Sequence, residues 1–182
     1  MSVEDINIRR CYCTGNVIGD DNPEPYLAAD YAGFIGYVGP NTTIKDAYAR
    51  GNVTSCEYLA GFVAYVSGVL QNCYSTGRVV SLTGTEYIAG FVQQVDGGGE
   101  VSACFWDTQT SGLTTSAGGT GKTTAQMKYI HTFSNAGWDF RRIWGIKPSK
   151  NNGYPFFGRG RHSPIPSAPN IPLEPFRRAD VY

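Results

Sequence analysis

Three strings decide how this chain folds: YAGFIGYV from Tyr31, LAGFVAYV from Leu59 and IAGFVQQV from Ile88, whose starts lie 28 and 29 residues apart. A second block follows each: IKDAYARGNV from Ile44, LQNCYSTGRV from Leu70 and VSACFWD from Val101, with a partial earlier copy, INIRRCYCTGNV, from Ile6. Every copy packs β-branched and aromatic residues into short runs punctuated by Gly, Asn, Asp, Ser and Thr. That is strand-and-turn chemistry, with no helical period. A unit of this size cannot bury its own apolar face, and stacking successive units solves the problem.

The expected fold is therefore all-β: a right-handed β-solenoid of three to four coils over residues 1–107. A capping unit with one short helix (108–158) and an extended Pro-rich tail (159–182) should follow. A β-sandwich of the same strands is the alternative. The stack is preferred because like residues recur at like positions, which a stack requires and a sandwich does not.

Alignment of the copies defines columns. Ile8, Ile44, Leu70 and Val101 form an inward apolar stripe; Cys11, Ala47, Cys73 and Cys104 form a column of small residues. Tyr12, Tyr48, Tyr74 and Phe105 come next along the strand. Alternation sends the small and the aromatic columns to opposite faces, which puts an aromatic ladder outside. A bend at Arg10, Asp46, Asn72 and Ala103 would reverse the facing, and both readings stay open here. Gly15, Gly51 and Gly77 are expected at tight corners with positive φ.

The 182 residues carry equal numbers of Lys+Arg and Asp+Glu, 15 of each, and only 16% are charged. Neutrality argues against a general nucleic-acid binder. No apolar run approaches the roughly 18 residues of a membrane-spanning helix. The opening MSVEDINIRR lacks the apolar stretch of a signal peptide. Charge is split: residues 1–140 hold 7 basic and 13 acidic side chains, residues 141–182 hold 8 and 2. A basic tail on an acidic body points to docking on an acidic surface, such as a neighbouring copy, as well as to plain solvation.

The pattern AGF(I/V)-x-x-V followed by CYSTG-x-V resembles the GLUG-type repeats of large bacterial and archaeal surface proteins, including secreted adhesins. GFIG at residues 33–36 fits the namesake tetrad, whereas GFVA and GFVQ lack its final Gly. CFWDTQTSG, GWDF, WGI and NNGYPFF within residues 104–157 resemble the unit that closes such arrays. The resemblance implies architecture and a surface location rather than a chemistry, because fold does not fix function.

Other motifs are weaker. SAGGTGKT, residues 116–123, lacks the first Gly of a phosphate-binding loop and the apolar strand that should feed it. Thr123 with Gln126 reads instead as a helix capping box. Cys73 and Cys104 fall on adjacent copies, where one bridge is geometrically allowed. The odd count of five cysteines favours buried free thiols. No CxxC pair occurs, and neither His131 nor His162 has a nucleophile context, so no cofactor or metal is expected. Asp46, Asp96, Glu100, Asp107 and Asp139 are candidates for a glycosidase carboxylate pair, but they read better as turn residues. Asn41 and Asn52 begin glycosylation sequons.

Residues 124–157 have the aromatic mass to plug one end of the stack. Five prolines between Pro164 and Pro175 make the following tail extended. We expect it to lie across a partner, with Arg159, Arg161, Arg177 and Arg178 against acid and Ile171, Leu173, Phe176 and Tyr182 in apolar grooves. Tyr12, Tyr48 and Tyr74 are the expected contact residues of the body. The expected protein is a non-enzymatic structural subunit of an extracellular assembly, foremost a phage tail or head-decoration protein, partnered by other copies of itself or a larger assembly. The alternative is an adhesin-type module binding glycan or protein at a cell surface, and a polysaccharide-degrading enzyme ranks third.

Overall fold

A computed structural model describes residues 5–19, 29–84 and 87–158. Strands dominate, and equivalent segments of the repeat copies pair in parallel. The longest stack joins Ile6–Cys13 to Thr42–Ala49 and then to Val69–Ser75, with Glu100–Ser102 and Phe105–Asp107 both pairing onto the last of these. Three shorter sheets follow the same order. They are Val17–Ile18, Val53–Ser55 and Val79–Ser81; Asp30–Ala32, Tyr58–Ala60 and Ile88–Ala89; and Ile35–Val38, Val63–Val66 and Val92–Val95.

Register follows the columns. Ile8 opposes Ile44, which opposes Leu70, which opposes Val101; Cys11, Ala47 and Cys73 share the next aligned position. Tyr12, Tyr48, Tyr74 and Phe105 form a third. Ile44, Leu70, Ala47, Cys73 and Cys104 pack in one buried cluster with Phe62, Phe91 and Trp106. With the partly buried Phe34 at its edge, the row Phe34, Phe62 and Phe91 stacks at 4.8 and 4.9 Å between ring centres. That is the spacing of adjacent strands, about 4.8 Å, imposed on side chains.

The bend is real and occurs in every copy. Arg10, Asp46, Asn72 and Ala103 take φ of 54°, 54°, 55° and 50°. Left-handed backbone costs a non-Gly residue about 1–2 kcal/mol, and here four copies accept it. The turn moves the inward positions from a spacing of two residues to three, so Ile8 and Cys11 both face the core while Tyr12 faces away. The small column inside and the aromatic column outside therefore stand, with the bend included.

The corner glycines differ from expectation. None of Gly15, Gly51 and Gly77 has positive φ. A Cβ on Gly77 would instead strike the backbone carbonyl of Gly51, and one on Gly51 the carbonyl of Gly15. Glycine is required there by close approach of the neighbouring copy, which is a contact between layers and not a torsion within one. Asparagines complete the column: Asn16 Oδ1 accepts from the Asn52 N–H and Asn52 Oδ1 from the Arg78 N–H, both at 2.9 Å.

The end of the stack is closed by residues 113–122 and not by 124–157. Ala117 N–H donates to the Val92 carbonyl, Thr120 N–H to the Cys104 carbonyl, and strand Thr120–Lys122 pairs with Phe105–Asp107. The GTGK part of the string that resembles a phosphate loop thus spends its backbone on the strand edge. Beyond it the chain makes short helices at Thr124–Met127 and Ile130–Ser134, after an earlier one at Thr108–Ser111, where a single helix was expected. The Thr123–Gln126 capping box is present in both directions.

Two substitutions in one column separate the layer contact from backbone propensity. Gly77→Ala should cost about 2–3 kcal/mol by forcing two copies apart. Gly15→Ala, which faces open space, should change stability by less than about 0.5 kcal/mol. Urea denaturation of both variants checks this, and equal effects would refute the layer account.

Candidate functional site

The flank bearing the aromatic column carries a network of side-chain hydrogen bonds. Tyr12, Tyr48 and Tyr74 stack face to face at 5.0 Å per step, with ring planes within 12° of parallel. The exposure expected of this ladder holds only at its first member. Tyr12 is 59% exposed, whereas Tyr48 and Tyr74 are 5% and 0% exposed. Residues 124–157 lie along the ladder, with Phe133, Trp138, Trp144 and Tyr154 joining Tyr48, Tyr74 and Phe105 in a second buried cluster. The aromatic mass placed by sequence at the end of the stack is on its side. Apolar matching decides this, since an outward row of rings buries more area against other aromatics than the narrow end could offer.

The left-handed corners anchor this cover. Asp46 Oδ1 accepts from Asn72 Nδ2 at 3.2 Å and from the Trp144 indole N–H at 3.1 Å. The Ala103 carbonyl accepts from the Trp138 indole N–H at 2.9 Å. Tyr74 donates its hydroxyl proton to the Pro155 carbonyl at 2.6 Å and accepts from Asn151 Nδ2 at 2.9 Å. Asn151, Asn152 and Gly153 are consecutive left-handed residues that turn the chain there. Arg50 reaches across to the Asn151 carbonyl at 3.0 Å and to its side-chain oxygen, and lies 4.9 Å from the Tyr154 ring centre.

Asp107 is the most committed carboxylate. It is fully buried, caps the helix Thr108–Ser111 through the Gln109 and Thr110 N–H groups, and accepts from the Thr124 hydroxyl at 2.9 Å and the Tyr154 hydroxyl at 2.7 Å. Burial, followed by the hydrogen bond to Asp107 and then that carboxylate's charge, pushes the Tyr154 phenol up to about 12. Burial holds Tyr74 well above the ordinary tyrosine value too. Asp139 caps a turn through the Arg141 and Arg142 N–H groups, each at 2.9 Å. Asp96 accepts from the Ser67 hydroxyl at 3.4 Å, and its carbonyl closes the Gly-rich turn by accepting from Gly98 and Gly99. Glu100 starts a strand at the surface. Asp46 and Asp107 thus lie beneath the covering segment, Asp139 belongs to that segment, and Asp96 and Glu100 flank the Gly-rich turn.

All five cysteines are free, with Cys56, Cys73 and Cys104 buried and Cys11 exposed. Burial is the main cause that raises the Cys73 thiol, followed by its neighbour Cys104. His131 stands in the last turn of its helix against Tyr129. Arg159, Arg161, His162, Ile171, Leu173, Phe176, Arg177, Arg178 and Tyr182 lie outside the described residues. Among the described residues, no three His, Cys, Asp or Glu side chains converge to hold a metal.

Sequence reasoning passed over a second outward row. Tyr37 and Tyr65 oppose each other in register with rings 5.6 Å apart, and Tyr58 and Tyr87 pair at 4.7 Å. Tyr37 and Tyr87 are among the most exposed large apolar side chains described. The shared position of Tyr37 and Tyr65 in YAGFIGYV and LAGFVAYV was the available signal.

No family model matches the chain, and no solved structure matches it. A protein of Evansella cellulosilytica named "Putative Gly-rich membrane protein" is 31% identical over 112 residues, which is 58% of this chain. The chain spans 13% of that relative's length. Among the described residues, no helix is long and apolar enough to cross a membrane.

The Tyr74 and Tyr154 environments set two expectations. Tyr74→Phe removes both bonds at the hydroxyl and should cost about 1–2 kcal/mol, read by thermal or urea unfolding. A phenol near 10 when unfolded and about 12 when folded loses its proton first in the unfolded chain. Its stabilising contribution is complete below pH 10 and disappears as pH rises towards 12. Tyr154→Phe should flatten that part of the stability–pH curve; an unchanged slope would remove Tyr154 from the account.

Proposed function

We propose that the chain is a right-handed β-solenoid module of three to four coils, akin to GLUG-type repeats, serving as a structural and attachment element of a larger protein at a cell surface. The observation that carries this reading is the register of the repeat columns. Like residue lies on like residue from copy to copy, and the inward side chains pack into one buried cluster. The buried carboxylates Asp46 and Asp107 are engaged in holding the covering segment, a structural task that explains why they are where they are. What a stack of this kind offers a partner is its outer rows, above all Tyr37 and Tyr87. Rings with one apolar face and one polar tip suit glycan or protein contacts. The Evansella relative, named as a membrane protein and far longer than this chain, supports a cell surface.

A phage tail or head-decoration subunit anchored by residues 159–182 is the second reading. The basic excess of residues 141–182 favours it, since it gives the tail a charge complementary to an acidic neighbour.

Immunogold labelling with antibodies raised against the folded chain tests both. Gold on the outer face of producing cells is the expected result, and gold on purified phage particles alone selects the second reading. Label confined to the cytosol would overturn both. For attachment, a glycan array should give hits that weaken at least tenfold in Tyr37→Ala plus Tyr87→Ala with the fold intact. Turnover of an acidic polysaccharide that is lost on a single Asp→Asn change would replace the structural reading with an enzymatic one.

A further inference from the structure

The two ends of the stack are not alike. Ile6–Cys13, Val17–Ile18, Asp30–Ala32 and Ile35–Val38 each terminate their sheet on the same side, so the first copy presents four strand edges together. The interior columns show what is lacking there. Ile44, Ala47, Val53, Leu59, Phe62 and Val63 of the second copy are all fully buried. Their equivalents in the first copy, Ile8, Cys11, Val17, Tyr31, Phe34 and Ile35, are partly or wholly exposed, although the residue types are as apolar. Chemistry is constant along each column, so the difference comes from one missing neighbour layer.

We infer that this open face is a docking surface for one further repeat of the same signature, contributed by a segment that precedes this one in a longer polypeptide. The occupant would pair in parallel with Ile6–Cys13, setting an apolar residue over Ile8, a small residue over Cys11 and an aromatic ring over Tyr12. This continues an interface already made between successive copies, where the same pairings recur.

A second copy of the chain fits less well. Its opposite end is closed by residues 113–122, so it could meet this face only with its own open face. A two-fold contact of that kind runs the strands antiparallel and takes every column out of alignment. The relative of which this chain spans 13% is long enough to hold further repeats. The inference rests on pairing geometry and is independent of where the protein resides.

Cys11 is the natural reporter, being exposed in the first copy while Ala47 and Cys73 in its column are fully buried. In the full chain, maleimide labelling followed by peptide mapping should modify Cys11 quickly and Cys73 slowly. Fusing a duplicate of residues 42–67 ahead of Met1 should slow Cys11 labelling at least tenfold and raise the melting temperature, with a single transition. Should that fusion misfold, a shorter one carrying residues 42–55 gives the same readout. Unchanged Cys11 labelling in a folded fusion overturns the proposal. So does slow Cys11 labelling in the unfused chain. Sedimentation would then assign the cover to a second copy if the protein is a dimer, or to the chain's own remaining residues if it is a monomer. Failure of this test leaves the surface-protein reading intact, and failed gold labelling leaves this one intact.

Discussion

Parallel pairing in register between repeat copies is the constraint from which the other features follow. Once strands of successive copies lie about 4.8 Å apart and in step, each position in the repeat meets its own counterpart. A position can then hold only residues that tolerate their own kind as neighbours. Flat rings satisfy this by stacking, as in the Phe34–Phe62–Phe91 and Tyr12–Tyr48–Tyr74 rows. Small thiols and methyls satisfy it in the cramped interior, and asparagine does so by handing its side-chain carbonyl to the next copy's backbone. Charges fit poorly in such columns, which accounts for the low charged fraction.

The covering segment shows how that regularity is put to use. A repeating outer row of tyrosines is a broad apolar strip, and residues 124–157 meet it with tryptophans and phenylalanines. Specificity comes from the polar groups that the left-handed corners leave unspent. An indole N–H reaches the Asp46 carboxylate and another reaches the Ala103 carbonyl, which fixes the segment along the strip as well as against it. Asp46 and Asp107 are the means by which an irregular segment locks to a periodic one.

Much of this was legible in the sequence, because periodicity transmits it. The columns and their register follow from alignment of the copies alone, and the bend at Arg10, Asp46, Asn72 and Ala103 was legible as a position, but which way the Cys11 and Tyr12 columns face stays open until the bend's torsions are known. Three things were hidden. Gly51 and Gly77 look like corner residues, since nothing in one copy reveals how near the next copy's carbonyl comes. The site of residues 124–157 could not be read, because aromatic mass tells how much surface is covered and not which surface. The Tyr37–Tyr65 row was legible too, as a shared position in YAGFIGYV and LAGFVAYV, but it lacks a third aromatic member, since Gln94 stands there in IAGFVQQV. Residues without a repeated counterpart, such as Asn151 and Tyr154, carry no periodic signal at all.

Arrays of repeats ordinarily gain stability only from nearest neighbours, so a terminal unit can peel away while the rest persists. Here the covering segment touches all four levels: Phe157 lies against Tyr12, Trp144 bonds to Asp46, Asn151 holds Tyr74 and Trp138 grips Ala103. Its contacts run across the layers like a splint along a stack of boards. Loosening any one level therefore disturbs a segment shared by the others, and the array gains a collective resistance to shear and fraying that its neighbour-to-neighbour bonds alone would not confer.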